Sequence, residues 1–153
     1  MINSLKDIIL NNNGAIKALE FLGNGASIRV VIDEDHDILV SKTAGRISVR
    51  EFDSSSNRPD ITINIPAEII MSIFSTHAET AHEFIINSAD IMTEKTNIEK
   101  ISLTVHSGIM KLTLLGYLKI IPIGGPKLLK ILSRYGIGSV SEIKRKLTKL
   151  TNR

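Results

Sequence analysis

The chain has no cysteine. Disulfides, thiolate metal sites, iron–sulfur clusters and cysteine nucleophiles are therefore excluded. Tryptophan is also absent, and aromatic residues make up only 4 %. Stacking platforms for single-stranded nucleic acid or for sugars have little to be built from. No apolar run reaches the roughly 18 residues that a membrane span needs. The nearest, Ile109 to Ile123, is interrupted by Lys111, Thr113, Gly116, Lys119 and Pro122. The opening Met1-Ile2-Asn3-Ser4-Leu5-Lys6-Asp7 lacks a charged segment followed by a long apolar one, so no signal peptide is expected. The closing Leu150-Thr151-Asn152-Arg153 offers no lipidation cysteine and no peroxisomal tripeptide. A cytoplasmic location is the expectation.

What is present is an ordinary globular composition. The 153 residues suit one domain, with 42 % hydrophobic and 23 % charged side chains. Isoleucine dominates the apolar set, which favours strands and stiff packing. The net charge of +3 conceals an asymmetry: residues 1–100 carry a net −6 and residues 101–153 a net +9. A basic C-terminal third suits anionic lipid surfaces, polyphosphates or nucleic acid, or simply neutralises the acidic part across the fold.

The period of the apolar residues divides the chain. Ser4 to Leu10 reads as a helix with Ser4 or Asn3 as its cap, and Ala15 to Leu22 as a second, closed by Gly23-Asn24-Gly25. Strands follow at Ser27–Asp33, Ile38–Thr43, Arg46–Phe52 and Ile61–Ile65, separated by polar turns. Consecutive short strands with tight turns argue for an antiparallel meander. Pro66 marks the start of a helix bearing Ile69, Ile70, Ile73 and Phe74 as one stripe. A further helix is expected over Ala78–Asn87, with another beginning at Ser88. Residues 97–107 fit both a strand and a helix. Ile109–Leu115 suggests a short helix and Gly116–Ile121 a last strand. Gly124-Gly125-Pro126 opens a helix through Leu132. Ser141 caps a basic amphipathic one, with Lys144, Arg145, Lys146 and Lys149 around Ile143, Leu147 and Leu150.

Reactive constellations are few. His77 and His82 are five apart and do not share a helical face as a zinc pair requires. The run Asp33-Glu34-Asp35-His36-Asp37 lacks the central glycine and terminal glutamate of a calcium loop, and reads as a solvated turn. No Gly-x-Ser-x-Gly elbow occurs. Neither an enzyme activity nor a metal or cofactor is expected. Gly124-Gly125 with Lys127 suits an anionic headgroup at a helix start, or is a plain turn.

Three segments together resemble the sterol carrier protein type 2 (SCP2-like) family. Pro59-Asp60-Ile61-Thr62-Ile63-Asn64-Ile65, with the helix after it, matches the family's Asp-Ile-Thr strand running into a helix. Ile109-Met110-Lys111-Leu112-Thr113-Leu114-Leu115-Gly116-Tyr117-Leu118-Lys119-Ile120 resembles its Pro-Met-Lys-Ala-Leu-Leu-Ser-Gly-Lys-Leu-Lys-Ile segment. Gly124 to Leu132 matches the turn and Leu/Lys-rich helix that follow. The order is preserved over roughly residues 5 to 135. Two departures stand out: some 30 residues, about 75–108, intervene where the family has a dozen or so, and Pro122-Ile123-Gly124-Gly125 replaces a Gly-Asp turn.

The resemblance implies an α+β fold, a five-stranded, mostly antiparallel sheet covered by helices with an apolar tunnel between. Residues 1–135 would form the lipid-binding domain, with a helical insertion at about 75–108, and residues 136–153 a basic helix. The tunnel would be lined by Ile69, Ile70, Ile73, Phe74, Met110, Leu114, Leu118, Ile120, Leu128 and Leu132. Lys127, Lys144, Arg145, Lys146 and Lys149 would face anionic membrane. The expected ligand is a lipid, a sterol-like molecule or an isoprenoid, bound without catalysis. The competing expectations are a protein-interaction or oligomerisation scaffold with a filled core, and an accessory factor presenting a lipid to an enzyme. No nucleic-acid partner is expected, and a homodimer stays open.

Overall fold

The computed structural model describes residues 2–55 and 58–134. Two short helices open it, α1 (Ile2–Asn11) and α2 (Asn13–Leu19). Asn12 separates them and caps the second, its Oδ1 accepting from the Ala15 amide at 3.0 Å. Its Nδ2 donates to the Phe74 and Thr76 carbonyls at 3.2 and 3.4 Å, which ties this corner to a distant helix end.

Strands β1 (Ser27–Ile32), β2 (His36–Thr43) and β3 (Arg46–Glu51) follow as the expected meander. The β2–β3 turn places Ala44 and Gly45 both at positive φ (52° and 76°), the hand that matches strand twist. β4 (Ile61–Ile65) then pairs parallel to β1. β5 (Ser102–Val105) closes the other edge antiparallel to β4. The order is β3-β2-β1-β4-β5, so three of the four pairings are antiparallel.

Between β4 and β5 run α3 (Ala67–Ser75), α4 (Ala81–Thr93) and α5 (Lys95–Ile98). Pro66 is the residue before α3 and brings no capping side chain. Asp33, from the β1–β2 turn, accepts from the Ala67 amide at 3.0 Å instead. Thr80 caps α4 by accepting from Glu83 N at 3.1 Å. After β5 come α6 (Ile109–Leu114), a 3-10 turn at Tyr117–Lys119, and α7 (Ile121–Arg134), which kinks at Gly125 (φ 62°). The kink falls where Gly124-Gly125-Pro126 announces a helix start.

Residues 97–107, which fit both a strand and a helix, supply the edge strand Ser102–Val105 within the expected insertion. Two expectations need correction. Gly116–Ile121 is not a strand. Its buried residues are Tyr117, Leu118 and Ile121, a helical spacing that the Leu118/Ile120 alternation obscures. The helix expected to break near Asn87 runs unbroken from Ala81 to Thr93, packing along α2 and α7. The expected basic helix, with Lys144, Arg145, Lys146 and Lys149, lies outside the described residues, as does the Leu132 side chain.

Gly116 is the tightest backbone crossing. Its φ is +85°, and a Cβ there would lie 2.2 Å from the Phe21 carbonyl oxygen. Gly116→Ala is expected to destabilise the protein by at least ~2 kcal/mol in a urea titration. Gly45→Ala, at a similar φ but in open space, is expected to cost about half as much.

Candidate functional site

The inner face of the sheet alternates outward and inward with period two. Ile28 and Val30 of β1, Ile38 and Val40 of β2, and Ile63 and Ile65 of β4 form one wall of a cavity of about 210 Å³. Helices cover it. Ile9, Ala15 and Leu19 come from α1 and α2, Ile70, Ile73 and Phe74 from α3, and Phe84, Ser88 and Met92 from α4. The α4 residues are spaced by four, so they stack along one helix face. Phe74 and Phe84 meet with ring centroids 5.5 Å apart, tilted by 36°. Phe74 also borders a second pocket of about 250 Å³, whose other residues include Asn11, Asn12, His77 and Glu79. Phe74 thus borders both an apolar pocket and a polar one.

Among the described residues the cavity wall holds one polar side chain, Ser88, and no charged one. Its hydroxyl oxygen is buried and has no hydrogen-bond partner among them. The wall as it stands presents apolar surface alone, with the Ser88 oxygen shielded beneath it and, among the described residues, no base in the wall to make a nucleophile.

A second polar centre sits where the neighbouring strands β1 and β4 begin. Asp60 is fully buried immediately before β4. Its Oδ1 accepts from Ser107 Oγ at 2.6 Å and pairs with Lys111 Nζ at 3.1 Å. Its Oδ2 accepts from the Ser27 amide and from the Tyr117 hydroxyl, both at 3.0 Å. Burial pushes this carboxyl up, but the hydrogen bonds from Ser107, Ser27, Lys111 and Tyr117 outweigh it and hold the group below the ordinary carboxylate range. Burial, followed by the Asp60 charge, drives Tyr117 upward, so it stays a neutral donor. Each carboxylate oxygen is occupied twice, leaving no lone pair for a substrate. The arrangement fastens β1, β4, α6 and the 3-10 turn together. Nearby, His106 Nε2 meets Thr62 Oγ1 at 2.8 Å. Among the described residues no three His, Asp or Glu side chains are grouped to hold a metal.

The residues singled out in the sequence divide. Ile70, Ile73 and Phe74 line the cavity, while Ile69 is buried in the adjoining core. Met110 and Leu114 do not line it: they are 64 % and 82 % exposed. They lie on the face of α6 opposite Leu112, which is the residue that turns inward. Leu118 belongs to a separate core with Leu22, Tyr117 and Ile121, against which Ile120 and Leu128 pack. Lys127 pairs with Asp90 of α4. What sequence reasoning missed is the rest of the wall, from α1, α2, α4 and the strands. The strand alternation marks Ile28, Val30 and Ile63 as inward. Nothing local marks Ser88.

No protein-family model and no curated protein matches the chain. A solved structure described as "UbiJ-SCP2 Ubiquinone synthesis protein" is similar over 81 % of this chain and 91 % of its own, with 10 % identity and a TM-score of 0.42. At that overlap no property of that protein carries over to this one. The α+β architecture that the resemblance implies, a five-stranded, mostly antiparallel sheet covered by helices, is the one this chain adopts.

Proposed function

We propose that this protein binds an elongated apolar molecule in the cavity between sheet and helices, and sequesters it without transforming it. The carrying observation is the cavity itself, about 210 Å³ walled by fourteen apolar side chains and one serine. An apolar cavity of roughly 150 Å³ already stays dry and takes up benzene. Each methylene moved from water into such a space contributes about 0.8 kcal/mol. About eight of them correspond to a dissociation constant on the order of tens of micromolar. Phe74, Phe84 and Met92 can change rotamer to lengthen the space, and methionine adapts readily to varied ligands. The volume weighs against the filled-core scaffold. The saturated Asp60 carboxylate, and a wall without acid or base among the described residues, weigh against catalysis.

Native mass spectrometry of the purified full chain, followed by solvent extraction, tests this. The expected result is a stoichiometric apolar adduct, or one that forms on incubation with fatty alcohols, phospholipids or isoprenoids. A bare protein mass that none of these alters would overturn the reading.

A further inference from the structure

Ser88 is an anomaly among the helical hydroxyls of this fold. Thr93 donates to the Ala89 carbonyl at 2.6 Å, Thr113 to Ile109 at 2.7 Å and Ser72 to Glu68 at 2.9 Å, each using the carbonyl four residues back. Ser88 has the same option at Phe84 and does not take it. A buried hydroxyl left unmatched is unfavourable, and alanine would suit this helix position better on every other ground. The side chain stands in a wall whose other members offer no hydrogen bond. As placed, the hydroxyl oxygen is shielded from the cavity; rotation about a single bond selects among its three staggered positions and turns it toward a ligand.

We propose that Ser88 is the polar handle of the cavity, and that its ligand is a neutral molecule bearing one hydroxyl or carbonyl on a hydrocarbon body. This rests on the binding reading above. A hydroxyl both donates and accepts, so it serves an alcohol or a carbonyl equally. A carboxylate or phosphate would enter a chamber with no cation in its wall among the described residues, and an unpaired charge there is strongly disfavoured. The chamber therefore discriminates by charge.

Three compounds on one phenylbutyl skeleton separate the effects: butylbenzene, phenylbutanol and phenylbutanoate. Their affinities are measured by displacement of the neutral dye N-phenylnaphthylamine from the full chain, at a pH where the acid is ionised. The unsubstituted protein is expected to bind phenylbutanoate at least ~100-fold more weakly than phenylbutanol. Ser88→Ala is expected to lose about threefold to tenfold for phenylbutanol and nothing for butylbenzene. Without ligand, Ser88→Ala is expected to melt no lower than the parent, because the hydroxyl it removes has no partner. Equal phenylbutanol affinity in both proteins would overturn the role of Ser88 and leave the cavity reading standing. Equal binding of acid and alcohol would overturn the neutral-ligand claim. A clear loss of melting temperature in Ser88→Ala would make the hydroxyl structural and overturn the proposal. Failure of all three compounds to displace the dye would overturn it together with the binding reading.

Discussion

Val40→Phe is expected to weaken uptake of apolar ligands at least ~tenfold while leaving the protein at least as stable as before. Val40 sits mid-sheet on β2, opposite Ile28 of β1 and Val49 of β3, and its side chain forms part of the cavity wall. In a close-packed core the extra ring would force side chains off their rotamers, at a cost of typically 1–3 kcal/mol. Here it enters about 210 Å³ of empty space and gains contacts that the wall atoms lack. The same ring occupies the volume a ligand would take, so N-phenylnaphthylamine binding should weaken at least ~tenfold, the change that 1.4 kcal/mol of lost contact brings. Dye fluorescence and a denaturant midpoint measured together decide the matter. Unchanged dye affinity with a lowered midpoint would mean that the cavity is not the binding site. Leu114→Ser is the companion variant: Leu114 is 82 % exposed and outside the wall, so dye affinity should stay as it is.

Asp60→Ala is expected to produce the largest loss of stability, about 3–5 kcal/mol, because it leaves the donors of a buried charge network without their acceptor. Ser107 Oγ, the Ser27 amide and the Tyr117 hydroxyl would each lose the partner that now holds β1, β4 and the 3-10 turn in place. Lys111, largely exposed, would return to water at smaller cost. Asp60→Asn keeps the shape but replaces one accepting oxygen with a donor, and should fall between the parent and Asp60→Ala.

The effect of acid has a definite sign. The folded-state value of Asp60 lies below its ordinary one. Its contribution is therefore complete above the unfolded carboxyl value of about 3.9, and is lost as pH falls through the folded value beneath that. Denaturant midpoints of the parent and of Asp60→Asn should differ most at neutral pH and converge in strong acid. A constant difference across that range would show that Asp60 does not act through its charge.

Much of the framework was legible locally. Four strands and the α3 stripe follow from periods of two and 3.6 in the apolar residues, which report faces of single elements. Ile70, Ile73 and Phe74 were recognisable as one face of one helix, and they do line the cavity. Residues 102–105 were not separable by pattern, because Ile98, Ile101 and Val105 fit a helix as well as a strand. Pairing with β4 decided it, and that pairing is long-range. Residues 116–121 misled because a strand's alternation and a short helical turn's burial overlap over so few positions. Met110 and Leu114 misled because apolar character alone does not say which way a helix is rotated.

The sequence by itself determined that the chain is cysteine-free and isoleucine-rich, with strand and helix periods following one another along it. It also determined where the principal apolar faces lie, since each is encoded within a few consecutive residues. The tertiary structure alone decided that β4 pairs parallel to β1, and that wall residues from seven elements surround an unfilled volume. It alone brought Ser107 and Tyr117, 47 and 57 residues away, onto Asp60, and left Ser88 without a partner. A cavity and a hydrogen bond are relations between segments far apart in the chain. Periodicity reports only the orientation of one segment, so neither could be read before the segments met.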